Sequence, residues 1–148
     1  MAMEHITFHI VPFGSADWKK ALALKEAVLR APLGQTFTAD ELKAEDGQTN
    51  VVAKAGHSLV ATALLVEHGD RYKMQRVAVE PSWRNKGVGK ALLSFCESHA
   101  ADLGAAAMYC HARDTAINFY RQNNYKPEGD VFEEDGIPHL MMNKVLRQ

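Results

Sequence analysis

The alternation of hydrophobic and polar residues predicts strands along much of the chain. Short runs rich in β-branched and aromatic residues are separated by clusters of Gly, Pro, Asn and Asp, which is typical of strands joined by turns. Gly56-His57 lies between two such runs and indicates a hairpin. The predicted strands cover residues 5–11, 51–55, 58–67, 72–79, 105–112, 125–132 and 139–145.

Other segments carry hydrophobic residues at the three- and four-residue intervals of an amphipathic helix. Ser15 and Thr38 are N-cap candidates for the first two of these helices. The four predicted helices cover residues 16–30, 39–45, 87–104 and 115–123. The first helix is expected to bury a face that contains Trp18, Leu22, Val28 and Leu29. The third has the clearest period, through Val88, Leu92, Phe95, Cys96, His99 and Leu103.

The order of these elements predicts a single domain over residues 1–148 with an α/β (α+β) fold. Short turns join most consecutive strands, so those pairs should be antiparallel. A helix separates strand 72–79 from strand 105–112, and these two are therefore expected to be parallel neighbours. The result is a mixed, mostly antiparallel central sheet of about six to seven strands with helices on both faces.

Composition and charge narrow the class of protein without indicating a function. A chain of 148 residues with 47% hydrophobic and 24% charged residues is typical of a soluble globular domain. The formal net charge of -1 gives no reason to expect nucleic acid, because nucleic-acid-binding proteins usually present a strongly basic face. Residues 1–4 do not resemble a signal peptide, and no apolar run reaches the length of a membrane span. We therefore expect a cytoplasmic protein without a membrane partner.

Cysteine and histidine usage indicates neither a disulfide framework nor a metal site. The two cysteines, Cys96 and Cys110, are too few for a disulfide-stapled domain, and Cys96 is expected to pack in the core. Cys110-His111 has no further ligand at zinc spacing, and the seven histidines are scattered. We therefore expect no metal.

The turn before the third helix has the composition of a phosphate-binding loop. Arg84 and Ala91 exclude a Walker A motif, and Leu92 excludes a dinucleotide fingerprint. The first turn of a helix offers unpaired N–H groups and the positive end of the helix dipole, and glycine lets an anion approach them. The spacing favours a diphosphate-binding turn, which we call the diphosphate cradle. The alternative is that the glycines only allow a tight turn at the start of the helix. The turn reads Arg84-Asn85-Lys86-Gly87-Val88-Gly89-Lys90.

Three motifs in the chain resemble the GNAT superfamily of N-acetyltransferases. Arg84-x-x-Gly87-x-Gly89, preceded by Val77-Ala78-Val79-Glu80-Pro81, is similar to the acetyl-CoA motif of that superfamily. Residues 116–125 place Tyr120 four positions after an alanine and resemble its second signature. Residues 132–139 are similar to the ElaA/YjcF-like branch. The length of the chain and the order of its predicted elements agree with this resemblance from end to end.

Two positions depart from the pattern of the superfamily. Arg113 stands where most members have asparagine and where the ElaA/YjcF-like branch tends to have glutamine. Asn124 stands where glycine is usual, and asparagine tolerates the left-handed backbone conformation that such a turn needs. These departures affect the expected contacts to the cofactor and not the expected fold.

The resemblance implies that the fourth and fifth strands splay apart and that acetyl-CoA enters the gap between them. The backbone of residues 77–79 would hydrogen-bond the pantetheine arm, and the N–H groups of the turn would hold the pyrophosphate. Tyr120 would act as general acid towards the departing thiolate. The residues expected to bind acetyl-CoA are Val77, Ala78, Val79, Arg84, Asn85, Lys86, Gly87, Val88, Gly89, Lys90, Asn118 and Tyr120.

The sequence leaves the general base open. Many members carry a glutamate on the strand before the acetyl-CoA motif, but strand 72–79 has no acidic residue, and Lys73 lies near that place. His139 is the preferred candidate because an imidazole suits proton removal at neutral pH. The acidic run Glu133-Glu134-Asp135 is also expected to attract a cationic amine. The alternatives for the base are a water relay or one of Glu67, His68, His111, Glu133, Glu134 and Asp135.

These features predict an N-acetyltransferase that moves an acetyl group from acetyl-CoA to a primary amine by direct attack in a ternary complex. The acceptor would be a small molecule or a peptide, and polyamines, amino sugars, drugs and protein amines all fit. Two other functions stay open, namely a CoA-binding sensor or partner module without turnover, and a transferase for longer acyl groups. The C-terminal strand pair would also allow a homodimer.

Overall fold

The computed structural model describes residues 5–146, which form seven strands and four α-helices. The strands are β1 (Ile6–Val11), β2 (Thr49–Ala55), β3 (Ser58–His68), β4 (Arg71–Val79), β5 (Ala107–Arg113), β6 (Lys126–Glu134) and β7 (Ile137–Val145). The helices are α1 (Ala16–Lys25), α2 (Ala39–Ala44), α3 (Val88–Asp102) and α4 (Ile117–Gln122). None of the helices within this range has the length and hydrophobicity needed to cross a lipid bilayer.

All seven strands belong to one sheet in the order β1-β2-β3-β4-β5-β7-β6. Neighbouring strands are antiparallel except β4 and β5, which are parallel, as the intervening helix α3 predicted. The C-terminal hairpin places β7 inside the sheet and β6 at its edge. The predicted mixed, mostly antiparallel sheet is confirmed.

The sheet separates two hydrophobic layers, because alternate residues of a strand point to opposite faces. On β2, Val51 belongs to the larger cluster, which also contains Leu92 of α3 and Tyr120 of α4. Val52 points the other way and joins a smaller cluster with Trp18 of α1. Helices therefore cover both faces, as predicted, with α3 and α4 on one side and α1 and α2 on the other.

β4 and β5 pair along a short stretch and then separate. Their paired residues are Arg71 with Ala107, Tyr72 with Met108, and Lys73 with Tyr109. Residues 74–79 have no partner on β5, which continues along β7 instead. In the same part of β4, Arg76 adopts a φ of 51° and the register against β3 shifts, which marks a β-bulge. The predicted splay between the fourth and fifth strands is confirmed.

Both predicted N-caps are present. The Oγ atom of Ser15 accepts a hydrogen bond from the N–H of Trp18 at 3.2 Å. Thr38 and Glu41 form a capping box, since the N–H of Glu41 donates to Thr38 Oγ1 at 3.1 Å and the N–H of Thr38 donates to Glu41 Oε1 at 2.9 Å. These local contacts set the start of α1 and of α2.

The first helix differs from the prediction at its end and on its buried face. α1 ends at Lys25, and a π-helical turn, Glu26–Arg30, continues it. The expected face is confirmed at Trp18, which is buried, and at Leu22, which packs against the same cluster. Val28 and Leu29 are only half-buried, whereas Lys25, which was not expected on this face, is 1% exposed. A prediction from the hydrophobic period places a lysine on the solvent side of a helix. Lys25 is stable in its buried position because it forms an ion pair with the buried Glu45.

β6 and β7 extend two residues further towards their connecting turn than predicted. Its turn consists of Asp135 and Gly136, so Glu133 and Glu134 are strand residues. Since successive strand residues point to opposite faces, the two glutamates cannot act together as one acidic turn.

Candidate active site

A cavity of about 440 Å³ lies where β4 and β5 separate. Residues 73–77 of β4 and residues 110–113 of β5 form its sides. The helical layers and the β6–β7 hairpin close it with Leu29, Arg30, Phe37, Glu41, Thr115, Ala116, Tyr120, Glu134, Asp135 and His139. Because these residues come from both faces of the sheet, the cavity is a passage between the two helical layers.

Tyr120 contributes a buried hydroxyl to this cavity. Its side chain is 6% exposed, and its ring packs edge-on against Phe119 and Tyr125. Burial, reinforced by the neighbouring Cys110 thiol, raises the pKa of Tyr120 well above its ordinary value. The hydroxyl therefore keeps its proton throughout the physiological pH range and is able to donate it.

The free thiol of Cys110 lies beside Tyr120 in the cavity. Burial raises the pKa of this thiol to about 12, so it is uncharged at neutral pH. A thiolate is the reactive form of cysteine, and this environment does not produce one. Cys96 packs in the core against β-strand residues, as the sequence predicted.

Glu134 lies between two imidazoles, and we call His111, Glu134 and His139 the His–Glu–His cluster. His111 Nδ1 is 3.1 Å from Glu134 Oε1, and His139 Nε2 is 3.6 Å from Glu134 Oε2. His139 Nδ1 donates to the carbonyl oxygen of Ile137 at 2.7 Å, since a carbonyl only accepts. His139 Nδ1 is thus engaged, while its Nε2 faces Glu134 beyond hydrogen-bond distance; His111 Nε2 has no hydrogen-bond partner within residues 5–146.

The turn before α3 has the geometry of an anion site. Gly87 is the N-cap with a φ of 82°, and no side chain caps the first turn. Open space lies beyond Gly87, while a Cβ atom on Gly89 would come within 3.6 Å of the Phe119 ring. The basic side chains around the turn are exposed: Arg84, Lys86 and Lys90. Uncapped N–H groups, a helix dipole and three cations fit a phosphate group.

The free edge of β4 connects this turn to the cavity. Val77 lines the cavity, Ala78 is 1% exposed, and Val79 leads towards the turn. Asn118 is exposed on α4, two residues before Tyr120. The residues predicted to contact acetyl-CoA therefore follow one path from the helix N-terminus to the middle of the sheet.

Comparison with known proteins identifies the family. Residues 23–146 match the family model described as the acetyltransferase (GNAT) domain. The chain belongs to the GNAT acetyltransferase family. As a GNAT domain it is an acyl-CoA-dependent acetyltransferase, and both the predicted superfamily and the predicted enzyme class are confirmed.

Individual relatives agree with this assignment. A Bacillus subtilis (strain 168) protein provisionally named an acetyltransferase is 32% identical over 133 residues, which cover 86% of this chain and 89% of that protein. The uncharacterised N-acetyltransferase YjcF of the same organism is 37% identical over 73 residues, covering 49% of this chain and 52% of that protein. Escherichia coli ElaA shares the fold, with a TM-score of 0.78 at 24% identity over 97% of this chain and 100% of that chain.

The GNAT fold brings together only some of the predicted acid–base residues. Glu133 is exposed and outside the cavity. Glu67 and His68 are exposed where β3 meets the start of β4, at the opposite end of that strand from the splay. The candidates that line the cavity are His111, Glu134, Asp135 and His139. No group of His, Cys, Asp and Glu side chains suited to hold a metal ion occurs in the part of the chain that the structure describes.

Five charged residues that the sequence did not single out form an ion-pair network along one wall of the site: Lys25, Arg30, Glu41, Glu45 and Arg76. Arg30 donates to both carboxylate oxygens of Glu41, at 3.0 and 2.6 Å. This guanidinium, with the N–H of Thr38, lowers the pKa of Glu41 to about 2. Arg76 Nη1 donates to Glu45 Oε2 at 2.6 Å, and Lys25 Nζ to Glu45 Oε1 at 2.7 Å.

Glu45 holds the bulge of β4 in place from inside the protein. It is 0% exposed, and besides Lys25 and Arg76 it accepts a hydrogen bond from Trp18 Nε1 at 3.0 Å. Burial lowers the pKa of Lys25, and the carboxylate of Glu45 opposes that change. No sequence signal marked Arg76. Its partners come from a distant segment of the chain, and arginine rarely adopts the positive φ that it has here, so neither feature is expected from the sequence.

Proposed function

We propose that this GNAT domain moves an acetyl group from acetyl-CoA to a primary amine by direct attack in a ternary complex. The observation that carries the proposal is the position of the cavity, which joins the free edge of β4, the Tyr120 hydroxyl and the His–Glu–His cluster. Acetyl-CoA would approach from the side of α3 and α4, and the amine from the side of α1 and α2. The two substrates would then meet where β4 and β5 separate.

The turn before α3 and the free edge of β4 are the proposed donor site. The pyrophosphate would accept hydrogen bonds from the uncapped N–H groups of the first turn. Residues 77–79, which are unpaired with β5, would bind the pantetheine arm in the manner of an added strand. Bound in this way, acetyl-CoA supplies an activated thioester at the cavity.

We propose that His111, rather than His139, accepts the proton of the amine. An amine with a pKa of ~10.4 costs about 4.6 kcal/mol to deprotonate at pH 7, so this step needs a base. Glu134 accepts the Nδ1–H of His111 and leaves the lone pair of Nε2 facing outward, as a carboxylate orients the histidine of a serine hydrolase. His139 is 5% exposed and donates its Nδ1–H to the carbonyl oxygen of Ile137, and its Nε2 faces the carboxylate of Glu134 at 3.6 Å rather than open space.

The transfer forms one bond and breaks another. His111 first takes the proton of the ammonium group, and the neutral amine nitrogen then attacks the thioester carbonyl, so that the C–N bond forms and the C–S bond breaks. Tyr120, which retains its proton, protonates the departing thiolate. The second proton, which the nitrogen loses as the amide forms, replaces the one that Tyr120 gives to the thiolate. Cys110 is uncharged at neutral pH and is therefore a poor acceptor for a covalent acetyl group, which favours direct attack.

Release of CoA in the presence of a panel of primary amines tests the proposal. We expect turnover with at least one amine, and a fall in kcat of about 100-fold for His111→Gln with CoA affinity unchanged. The matched variant His139→Gln should lose less than about tenfold, because it removes a contact to Glu134 and not the base. A larger loss in His139→Gln would transfer the role of base to His139.

The rival function is a CoA-binding module without turnover. Arg113 in place of the usual asparagine and the absence of an acidic residue on β4 are the features that favour it. CoA binding by calorimetry with no CoA release from any amine in the panel would establish this rival. Replacing acetyl-CoA by butyryl-CoA in the same assay decides between acetyl and longer acyl groups.

A further inference from the structure

Two basic side chains in the cavity have no carboxylate partner. Lys73 and Arg113 line the cavity and are half-buried, yet neither makes an ion pair with an acidic residue among residues 5–146. The one hydrogen bond of the Arg113 guanidinium is a long one of 3.5 Å, from Nη2 to the carbonyl oxygen of Leu29. By contrast, Arg30 and Arg76 on the neighbouring wall are each paired with a glutamate.

The two unpaired cations flank the proposed base. Alternate residues of β5 share a face, so Arg113 and His111 lie on the same side of the sheet. Lys73 is paired in register with Tyr109, two residues before His111, and its neighbours on β4, Tyr72 and Met74, face the opposite core. An amine that reaches His111 therefore enters between two positive charges.

Electrostatics then favours an acceptor with an anionic group. Half-buried charges are stabilised by a partner of opposite sign, and a guanidinium is matched in shape to a carboxylate through two parallel hydrogen bonds. Glu134 and Asp135 on the hairpin side supply negative charge for the ammonium group. The cavity thus presents an acidic side and a basic side to the same molecule.

We infer that, within the proposed acetyl transfer, the acceptor is an amine that also carries a carboxylate, and that Arg113 binds this carboxylate with the support of Lys73. Free amino acids and peptide ends with a nearby carboxylate belong to this class. Polyamines do not, because their second ammonium group would meet Arg113 or Lys73 with like charge. Arg113, the residue that departs from the pattern of the superfamily, would then determine the choice of acceptor.

Matched pairs of amines test this inference. The probes are L-phenylalanine with phenethylamine, L-lysine with cadaverine, and phosphoethanolamine with ethanolamine, assayed by CoA release and by the mass of the acetylated product. We expect kcat/KM to be at least about tenfold higher for the carboxylate-bearing member of a pair, equivalent to one charge-assisted bidentate contact. A preference found with phosphoethanolamine alone would show that the anion is a phosphate and would overturn the carboxylate assignment.

Two variants distinguish a specific contact of Arg113 with the acceptor from an effect of the overall positive charge of the protein. Arg113→Gln should remove the preference, so that kcat/KM for the two members of each pair becomes equal within about threefold. Arg121→Gln, on the exposed face of α4, is the control and should keep the preference. Calorimetry of L-phenylalanine with the CoA-bound protein should show binding that Arg113→Gln weakens about tenfold.

Equal rates within all pairs, or a preference that survives Arg113→Gln, would overturn the inference while acetyl transfer itself stands. Absence of turnover with every amine, together with intact CoA binding, would instead refute the proposed function. In that case the calorimetric titration still decides whether Arg113 binds a carboxylate.

Discussion

Tyr120 and Tyr125 are neighbouring buried tyrosines whose hydroxyls meet different groups. Their ring centroids are 5.4 Å apart, and both side chains are nearly inaccessible to solvent. The Tyr125 hydroxyl donates to Glu97 Oε2 at 2.8 Å, outside the cavity. The Tyr120 hydroxyl lies at the cavity, beside the Cys110 thiol. Of the two hydroxyls, that of Tyr120 is the proposed proton donor, and that of Tyr125 has a structural role.

Tyr120→Phe should lower kcat by about 10- to 100-fold, because the thiolate then leaves without its proton donor, and the KM for acetyl-CoA should change by less than about threefold. Stopped assays of CoA release measure both parameters. Since burial raises the pKa of Tyr120, its proton is lost only above the pH range of the assay, and no alkaline decline from this residue is expected below pH ~10.

The control for this variant is Tyr125→Phe. It removes one buried hydrogen bond and should cost about 1 kcal/mol of stability while leaving kcat unchanged. An equal fall in kcat for both variants would contradict the role of Tyr120 as general acid.

At the scale of elements, the helix α3 and the strand β4 each supply one part of the proposed donor site. The helix presents its uncapped first turn, and the strand presents an edge that β5 has left free. Gly89 lies in that first turn with an ordinary helical backbone, so the conformational freedom of glycine is not needed there. Its missing side chain instead leaves room beside the turn.

Gly89→Ala should weaken CoA binding by about tenfold while leaving the fold intact. The added Cβ would meet the Phe119 ring at 3.6 Å, an ordinary contact, and alanine favours a helix by about 1 kcal/mol over glycine. Calorimetry with CoA gives the affinity, and thermal unfolding gives the stability. Gly47→Ala, in open space far from the turn, is the control and should bind CoA normally. Unchanged affinity in Gly89→Ala would contradict the cradle.

At the scale of the whole molecule, the ion-pair network connects α1, the α2 region and β4 along one wall of the site. Lys25 comes from α1, Glu41 from α2, Glu45 from the segment that follows α2, and Arg76 from the bulge of β4. The Arg30 and Arg76 guanidiniums also lie over the ring of Phe37, at 4.2 and 4.9 Å from its centroid. The network therefore fixes the position of the bulge relative to the α1 and α2 layer.

Glu41→Gln should destabilise the protein by about 1–2 kcal/mol at pH 7, a value reduced from the full linkage energy because the side chain is partly solvated. The folded pKa of about 2 lies below the ordinary glutamate pKa of 4.5, so the stabilisation is complete above pH 4.5 and is lost as the pH falls towards 2. Urea denaturation of both proteins at pH 7, 5 and 3 measures the difference. It should be constant between pH 7 and 5 and smaller at pH 3.

The exposed residue Glu67 provides the control for this measurement. It forms no ion pair within residues 5–146, and Glu67→Gln should stay within about 0.5 kcal/mol of the parent protein at every pH. A Glu41→Gln difference that persists unchanged at pH 3 would contradict an ionic origin.

Local signals in the sequence predicted elements better than they predicted side-chain partners. The caps at Ser15 and Thr38 and the period of α3 depend on residues a few positions apart, and the structure confirms them. The buried face of α1 was predicted correctly at Trp18 and Leu22 but without Lys25, because Lys25 owes its position to Glu45, twenty residues away. The acidic run 133–135 was read as one unit, but the strand alternation of β6 sends Glu133 away from the cavity.

By itself, the sequence determined the order and type of the elements, the parallel pair around α3 and the family to which the chain belongs. These depend on periodicity, capping and motif spacing, all of which are encoded between residues close in the chain. Only the tertiary structure decided which charges meet. Three features depend on distances between remote segments: the contact of His111 with Glu134, the burial of Lys25 and Glu45, and the lack of a carboxylate partner for Arg113 among residues 5–146. Such interactions depend on burial and distance, which leave no pattern in the order of the residues.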